Sequence, residues 1–187
     1  MTHLDTTDVE TLADQVRAYP PLDTEEIRRL LGAAASPGSA QSRLVEHHLA
    51  VAFDEAVARR DRGVDIGDLY QEANLAAVVA VAEYASRGGE PAGLRGYVSR
   101  VVASHLDDTV EQAEIERQAD EAFVRDAQLY EAAEVNLRHE LGRSATTTEL
   151  AAVLEWPEER VAVVAEAVGA ARELWDSEIV EYLDDES

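Results

Sequence analysis

Five histidines, 39 acidic residues and no cysteine bound the chemistry this chain could carry. His47 and His48 look like a metal pair, but neighbours on a helix point about 100° apart and do not easily share one ion. His105 and His139 are isolated. Without cysteine there is no disulfide, no thiolate nucleophile and no cysteine-based zinc site. No glycine-rich phosphate loop, nucleophile elbow or HExxH spacing occurs. Carboxylates are so frequent that no pair stands out as general acid and base. The residues therefore assign no catalytic group, metal or cofactor, and the expected chemistry is recognition. Its strongest candidate is a helix running from about Ile66 to Ser86. Leu69, Ala73, Ala76, Ala80 and Tyr84 form a stripe that should face a core. Asp68, Gln71, Glu72 and Asn74 lie off that stripe, and Leu75, Val78, Val79 and Ala82 set apolar surface beside them. Such a mixed edge suits a helical partner better than water.

The elements that must position these residues read as helices throughout. Val, Ile and Thr are spread singly through windows rich in Ala, Glu, Arg and Leu, and no strand alternation persists. Residues 1–8 read as a flexible arm. Residues 9–33 carry two short helical patterns broken at Tyr19-Pro20-Pro21, with Asp23 a helix start before Thr24-Glu25-Glu26. Ala35-Ser36-Pro37-Gly38-Ser39 reads as a loop. A helix is expected from about Ala40 to Arg60, then a turn at Arg62-Gly63, then a helix capped by Asp65. The loop Arg87–Gly93 precedes a long helical pattern from Leu94 past Glu111, and helix resumes from about Ala119 to Gly142. Thr146 and Glu149 form a capping-box pattern before Leu150. Pro157 suits the first turn of a last core helix ending near Gly169. The segment 173–187, with seven acids and no base, reads as a solvated, partly disordered tail in which Leu174, Ile179 and Leu183 leave room for a docked turn.

The composition is that of an ordinary globular protein, 46% hydrophobic and 29% charged, with length enough for one substantial core or two small ones. The apolar runs are short and the N-terminus is polar and acidic, so neither a membrane span nor a signal peptide is expected, and a cytoplasmic location is the default. Sixteen arginines, no lysine and 39 acids give a net charge of −23. A surface this negative repels phosphate backbones.

Leu44-Val45-Glu46-His47-His48-Leu49, followed by Asp68-Leu69-Tyr70-Gln71-Glu72-Ala73-Asn74-Leu75, resembles bacterial RNA polymerase sigma factors of the primary type. There an L-I-E-x-N-L stretch precedes D-L-I-Q-E-G-N at the same distance. Leu94 to Tyr97 stands where the family has F-S-T-Y. Glu140-Leu141-Gly142-Arg143 with Thr146, Glu149, Leu150 and Ala151 resembles E-L-G-R-x-x-T-x-x-E-L-A. The resemblance covers about residues 9–172. It implies an all-α protein of two helical domains, one over 9–115 like sigma domain 2 and one over 116–172 like the three-helix domain 3, without the C-terminal promoter-reading domain. It also implies that Asp68, Gln71 and Glu72, with Asn74 and Leu75 beside them, dock on the β′ subunit of core polymerase, where arginines accept carboxylate partners well.

The family's DNA-handling positions have changed character. The paired tryptophans correspond to Arg100 and Val101, and the aromatic and basic patch before the retained Tyr97 is Glu90-Pro91-Ala92-Gly93. Positions often basic in the family correspond to Ala103, Asp108 and Ile115, and the base-reading His and Glu to Ala122 and Arg125. From Asp107 to Val135 ten acids stand against Arg117 and Arg125, a net −8. Weak or no DNA binding alone is therefore expected. The expectation is a sigma-like regulator of transcription initiation that binds core polymerase. Such a regulator would modulate transcription, compete with active sigma factors or need a second regulatory protein for promoter recognition. The alternatives are a mimic that sequesters an anti-sigma factor or a weak working sigma factor. Val78, Val79, Val163 and Val164 could instead serve self-association.

Overall fold

The computed structural model describes residues 11–14, 16, 18–34 and 38–185, the stretch 176–185 by its backbone alone. The expected arm at 1–8 and the loop positions 35–37 lie outside the described residues. Every regular element among those described is helical, and no strand occurs. After a short helical stretch at 11–14 come α1 (Thr24–Ala33), α2 (Ser39–Glu46), α3 (Leu49–Val57) and α4 (Ile66–Ser86). A 3₁₀ turn (Pro91–Gly93) leads into α5 (Leu94–Leu141), followed by α6 (Thr147–Leu154) and α7 (Glu158–Asp185). The chain separates into two compact units, Met1–Ile115 and Glu116–Ser187.

Three helix starts, those of α1, α4 and α6, lie where side-chain oxygens satisfy otherwise orphaned backbone N–H groups. The Glu26 N–H donates to Asp23 Oδ1 at 2.8 Å, and the Gly67 N–H to Asp65 Oδ1 at 2.8 Å. Thr146 and Glu149 form a complete capping box. Pro157 sits just ahead of α7, its carbonyl accepting from the Arg160 and Val161 N–H groups.

Three boundaries differ from the expectation. The helix expected over 40–60 is two helices, divided at His47-His48. There the His48 N–H turns to the Val45 carbonyl at 2.8 Å, three residues back, and the His48 ring Nδ1 donates to the Leu44 carbonyl at 2.7 Å. The ring thus caps a carbonyl that the bend releases, and it is only 6% exposed. Burial pushes its imidazole pKa down, which keeps it neutral with the proton on Nδ1. His47 turns elsewhere and donates to the Pro20 carbonyl.

The second difference is α5, which is unbroken where a restart near Ala119 was expected. Its 48 residues contain no proline, and its one glycine, Gly96, lies in the first turn. The helix stops where Gly142 takes a left-handed φ of 66° and its N–H closes on the Arg138 carbonyl. The third is α7, which runs on through Asp185 instead of ending near Gly169. The segment expected as a partly disordered tail is helical over 173–185.

In the first unit α4 is the hub. It buries Leu69, Ala73, Ala76, Ala77, Ala80, Val81 and Ala85, five of them alanines that let neighbouring helices approach closely. Against it pack Leu30 and Leu31 of α1, Leu44 of α2 and Val51, Ala52 and Ala56 of α3. The start of α5 adds Leu94, Val98, Val102, Leu106 and Val110, one per four residues along one stripe. Arg59 fastens α3 to α5: it donates to Glu55 at 3.0 Å, to Asp107 at 2.8 Å and to the Ala103 carbonyl at 3.1 Å. In the second unit Tyr130 and Ala133 meet Leu150 and Ala151 of α6 and Val161, Val164 and Val168 of α7.

Candidate functional site

The residues opposite the buried stripe of α4 form its outward face. Asp68 and Gln71 are exposed. Leu75 and Val79 are 61% and 60% exposed and Val78 is 42% exposed. The positions 68, 71, 75, 78, 79 and 82 repeat at three and four residues, so they fall along one side of the helix. Two carboxamide or carboxylate heads thus sit at the N-terminal end of a ridge of branched aliphatic chains. Asp68 also lies in the first turn, where the helix dipole favours a negative charge.

Glu72 lies at the margin of this face. It is half-buried, and its Oε2 accepts from His105 Nε2 of α5 at 2.7 Å. Asn74 does not join the face. It is half-buried, and its Oδ1 is buried without a hydrogen-bond partner among the described residues. Of the five candidate docking residues, the fold brings Asp68, Gln71 and Leu75 together, holds Glu72 beside them and turns Asn74 away. The packing of His105 against Glu72 spans 33 residues, and no local spacing in the sequence signals it.

No protein-family model matches the chain, and none of the curated proteins matches it.

Tyr97 and the other positions that the sequence resemblance implied as DNA contacts form the second set of candidates. Tyr97 is half-buried, and its hydroxyl donates to Glu83 Oε2 at 2.6 Å. That bond, more than burial, raises the Tyr97 pKa. Its ring leans on Tyr84, with centroids 5.0 Å apart, and Glu83 is also ion-paired with Arg87. Tyr84 covers the turn that follows α4: its hydroxyl donates to the Glu90 carbonyl at 2.7 Å, and a Cβ on Gly89 or Gly93 would strike its ring or hydroxyl at 2.2–2.3 Å. The Tyr97 side chain is therefore committed to a carboxylate and a second tyrosine.

Arg100 is exposed, while Val101 packs against the core of the first unit. Asp108, Ile115, Ala122 and Arg125 are exposed and Ala103 is half-buried. Arg100 and Arg125 are the two cations among these positions. Sequence reasoning did not find Glu83 as the partner of Tyr97. The signal within reach was the Glu83–Arg87 spacing of four, which marks a helix-surface ion pair.

Proposed function

We propose that this chain is a sigma-factor-like transcription regulator that docks on core RNA polymerase through the outward face of α4 and binds promoter DNA poorly by itself. One observation carries the reading: Asp68, Gln71, Leu75, Val78 and Val79 share one open side of a helix whose other side is fully buried. Covering Leu75 and the two valines with a partner would contribute roughly 1.5 kcal/mol per side chain. Carboxylate and carboxamide heads at the end of the ridge would give arginine-bearing helices a defined register. The ordered sequence blocks at preserved spacing name the partner class. The negative charge of residues 107–135 and the Tyr97–Glu83 bond support weak DNA binding.

Co-elution with purified core polymerase tests the docking. Leu75→Glu and Asp68→Arg each should weaken it about tenfold or more. Leu75→Glu, at an exposed mid-helix position, should leave the melting temperature unchanged, whereas Asp68→Arg should lower it slightly because it reverses a favourable first-turn charge. Undiminished co-elution of both variants would remove the α4 face from the reading. A decoy for an anti-sigma factor would use the same acidic and apolar ridge. Binding to a purified anti-sigma factor, lost in Leu75→Glu, together with no binding to core enzyme, would favour that second reading.

A further inference from the structure

The second unit leaves another helical face open, on α7. The inner side of that helix supplies Val161, Val164 and Val168 to the core. On its outer side Val163, Ala167, Ala170 and Leu174 follow at spacings of four, three and four, the alternation of a helix-pairing seam. Val163 is 60% exposed and Leu174 63%, Ala170 is exposed and Ala167 half-buried. Along one edge of this seam stand Glu159, Glu166 and Glu173, one per seven residues and all exposed. Among the described residues no arginine pairs with any of the three. The two arginines of the helix are engaged on its other flank. Arg160 forks onto Asp126 with bonds of 2.6–2.9 Å and lies over the Trp156 ring, and Arg172 reaches Glu131 and Glu134 at 3.1 and 3.0 Å.

We propose that this face of α7 docks a basic amphipathic helix of a partner protein. The partner places small apolar side chains on the seam and arginine or lysine at seven-residue intervals against the glutamate edge. Charge decides among the occupants. A second copy brings the same net −23, and antiparallel pairing would set glutamates against glutamates. Nucleic acid and anionic lipid headgroups are repelled for the same reason and offer no stripe to match Val163. The alanines at 167 and 170 admit close approach of a helix backbone, so the seam selects small partner residues opposite them.

The test uses the full chain and a fluorescein-labelled synthetic peptide of about four heptads, with alanine and leucine on its seam and arginine on the flank. A shuffled peptide of identical composition is the control, at physiological salt. The patterned peptide should bind at least about tenfold more tightly than the shuffled one. Val163→Asp and Glu166→Arg should each weaken it about fivefold or more, with helicity unchanged, whereas Asp61→Arg in the first unit should not. Equal binding of the shuffled peptide, or equal weakening by Asp61→Arg, would reduce the effect to general charge attraction and overturn the proposal. A dimer seen by sedimentation and lost in Val163→Asp would also overturn it, by making a second copy the occupant.

Discussion

Glu149 shows how much one carboxylate does at a helix start. It accepts from both the N–H and the hydroxyl of Thr146 and from two nitrogens of Arg143, at 2.7–3.0 Å. The arginine, more than the threonine contacts, lowers its pKa from 4.5 to about 2. Across that window the unfolded chain binds the proton that the folded form refuses, so stability falls as the pH drops toward about 2 and this group removes nothing further below it. Glu149→Gln should flatten that part of the acid slope in thermal melts taken from neutral pH down to about 2. An unchanged slope would mean that Glu149 is not the group responsible. The Thr146–Glu149 box was legible in the sequence because both partners lie within one turn. The His48 ring capping the Leu44 carbonyl was not, because it depends on a bend that two adjacent histidines do not announce. Nor was the burial of Asn74 Oδ1, which its place in the Asp68–Leu75 block does not announce.

Among the elements, α5 is the one whose parts differ most. Its start buries a side chain every fourth residue from Leu94 to Val110, and its later part supplies Tyr130 and Ala133 to a core. Between them residues 115–125 are all exposed. Their helicity rests on local propensity and on pairs such as Arg117–Glu121, each worth a few tenths of a kcal/mol. A short helical stretch without packing is marginal in water. Backbone amides across 119–125 should therefore exchange with deuterium about a hundredfold faster than those from Val98 to Val110, and trypsin should cut first at Arg117 or Arg125. Protection equal to that of Val98–Val110 would contradict this account. The expected interruption of the helix before Ala119 thus has a physical basis in missing burial, although the helix itself continues. The buried stripe of α4 was readable in part: period 3.6 is written directly in Leu69, Ala73, Ala76 and Ala80, whereas Tyr84 is only half-buried and Ala77, Val81 and Ala85 are buried without having been expected. The division of α2 from α3 was not, because Leu44–Leu49 contains neither glycine nor proline.

For the whole molecule, composition already indicated helices and a surface hostile to phosphate. At −23, with Tyr97 tied to Glu83, the chain alone should show no sequence-specific retention of promoter DNA at about 0.1 M salt, and lowering the salt should recover little. Submicromolar, sequence-dependent binding in fluorescence anisotropy would contradict that. The two units also differ in how far along the chain their cores reach. The first gathers residues from Leu30 to Val110, a separation of 80 positions (110 − 30), and the second from Tyr130 to Val168, 38 positions (168 − 130). Closing the longer loop costs only about 0.6 kcal/mol more, but distant contacts must wait for the chain between them to be ordered. During synthesis the N-terminal unit leaves the ribosome first, yet its core cannot close until Val110 has emerged. The second unit needs less than half that length of chain to complete its own core, so the later-made of the two units is the one that folds with the shorter delay.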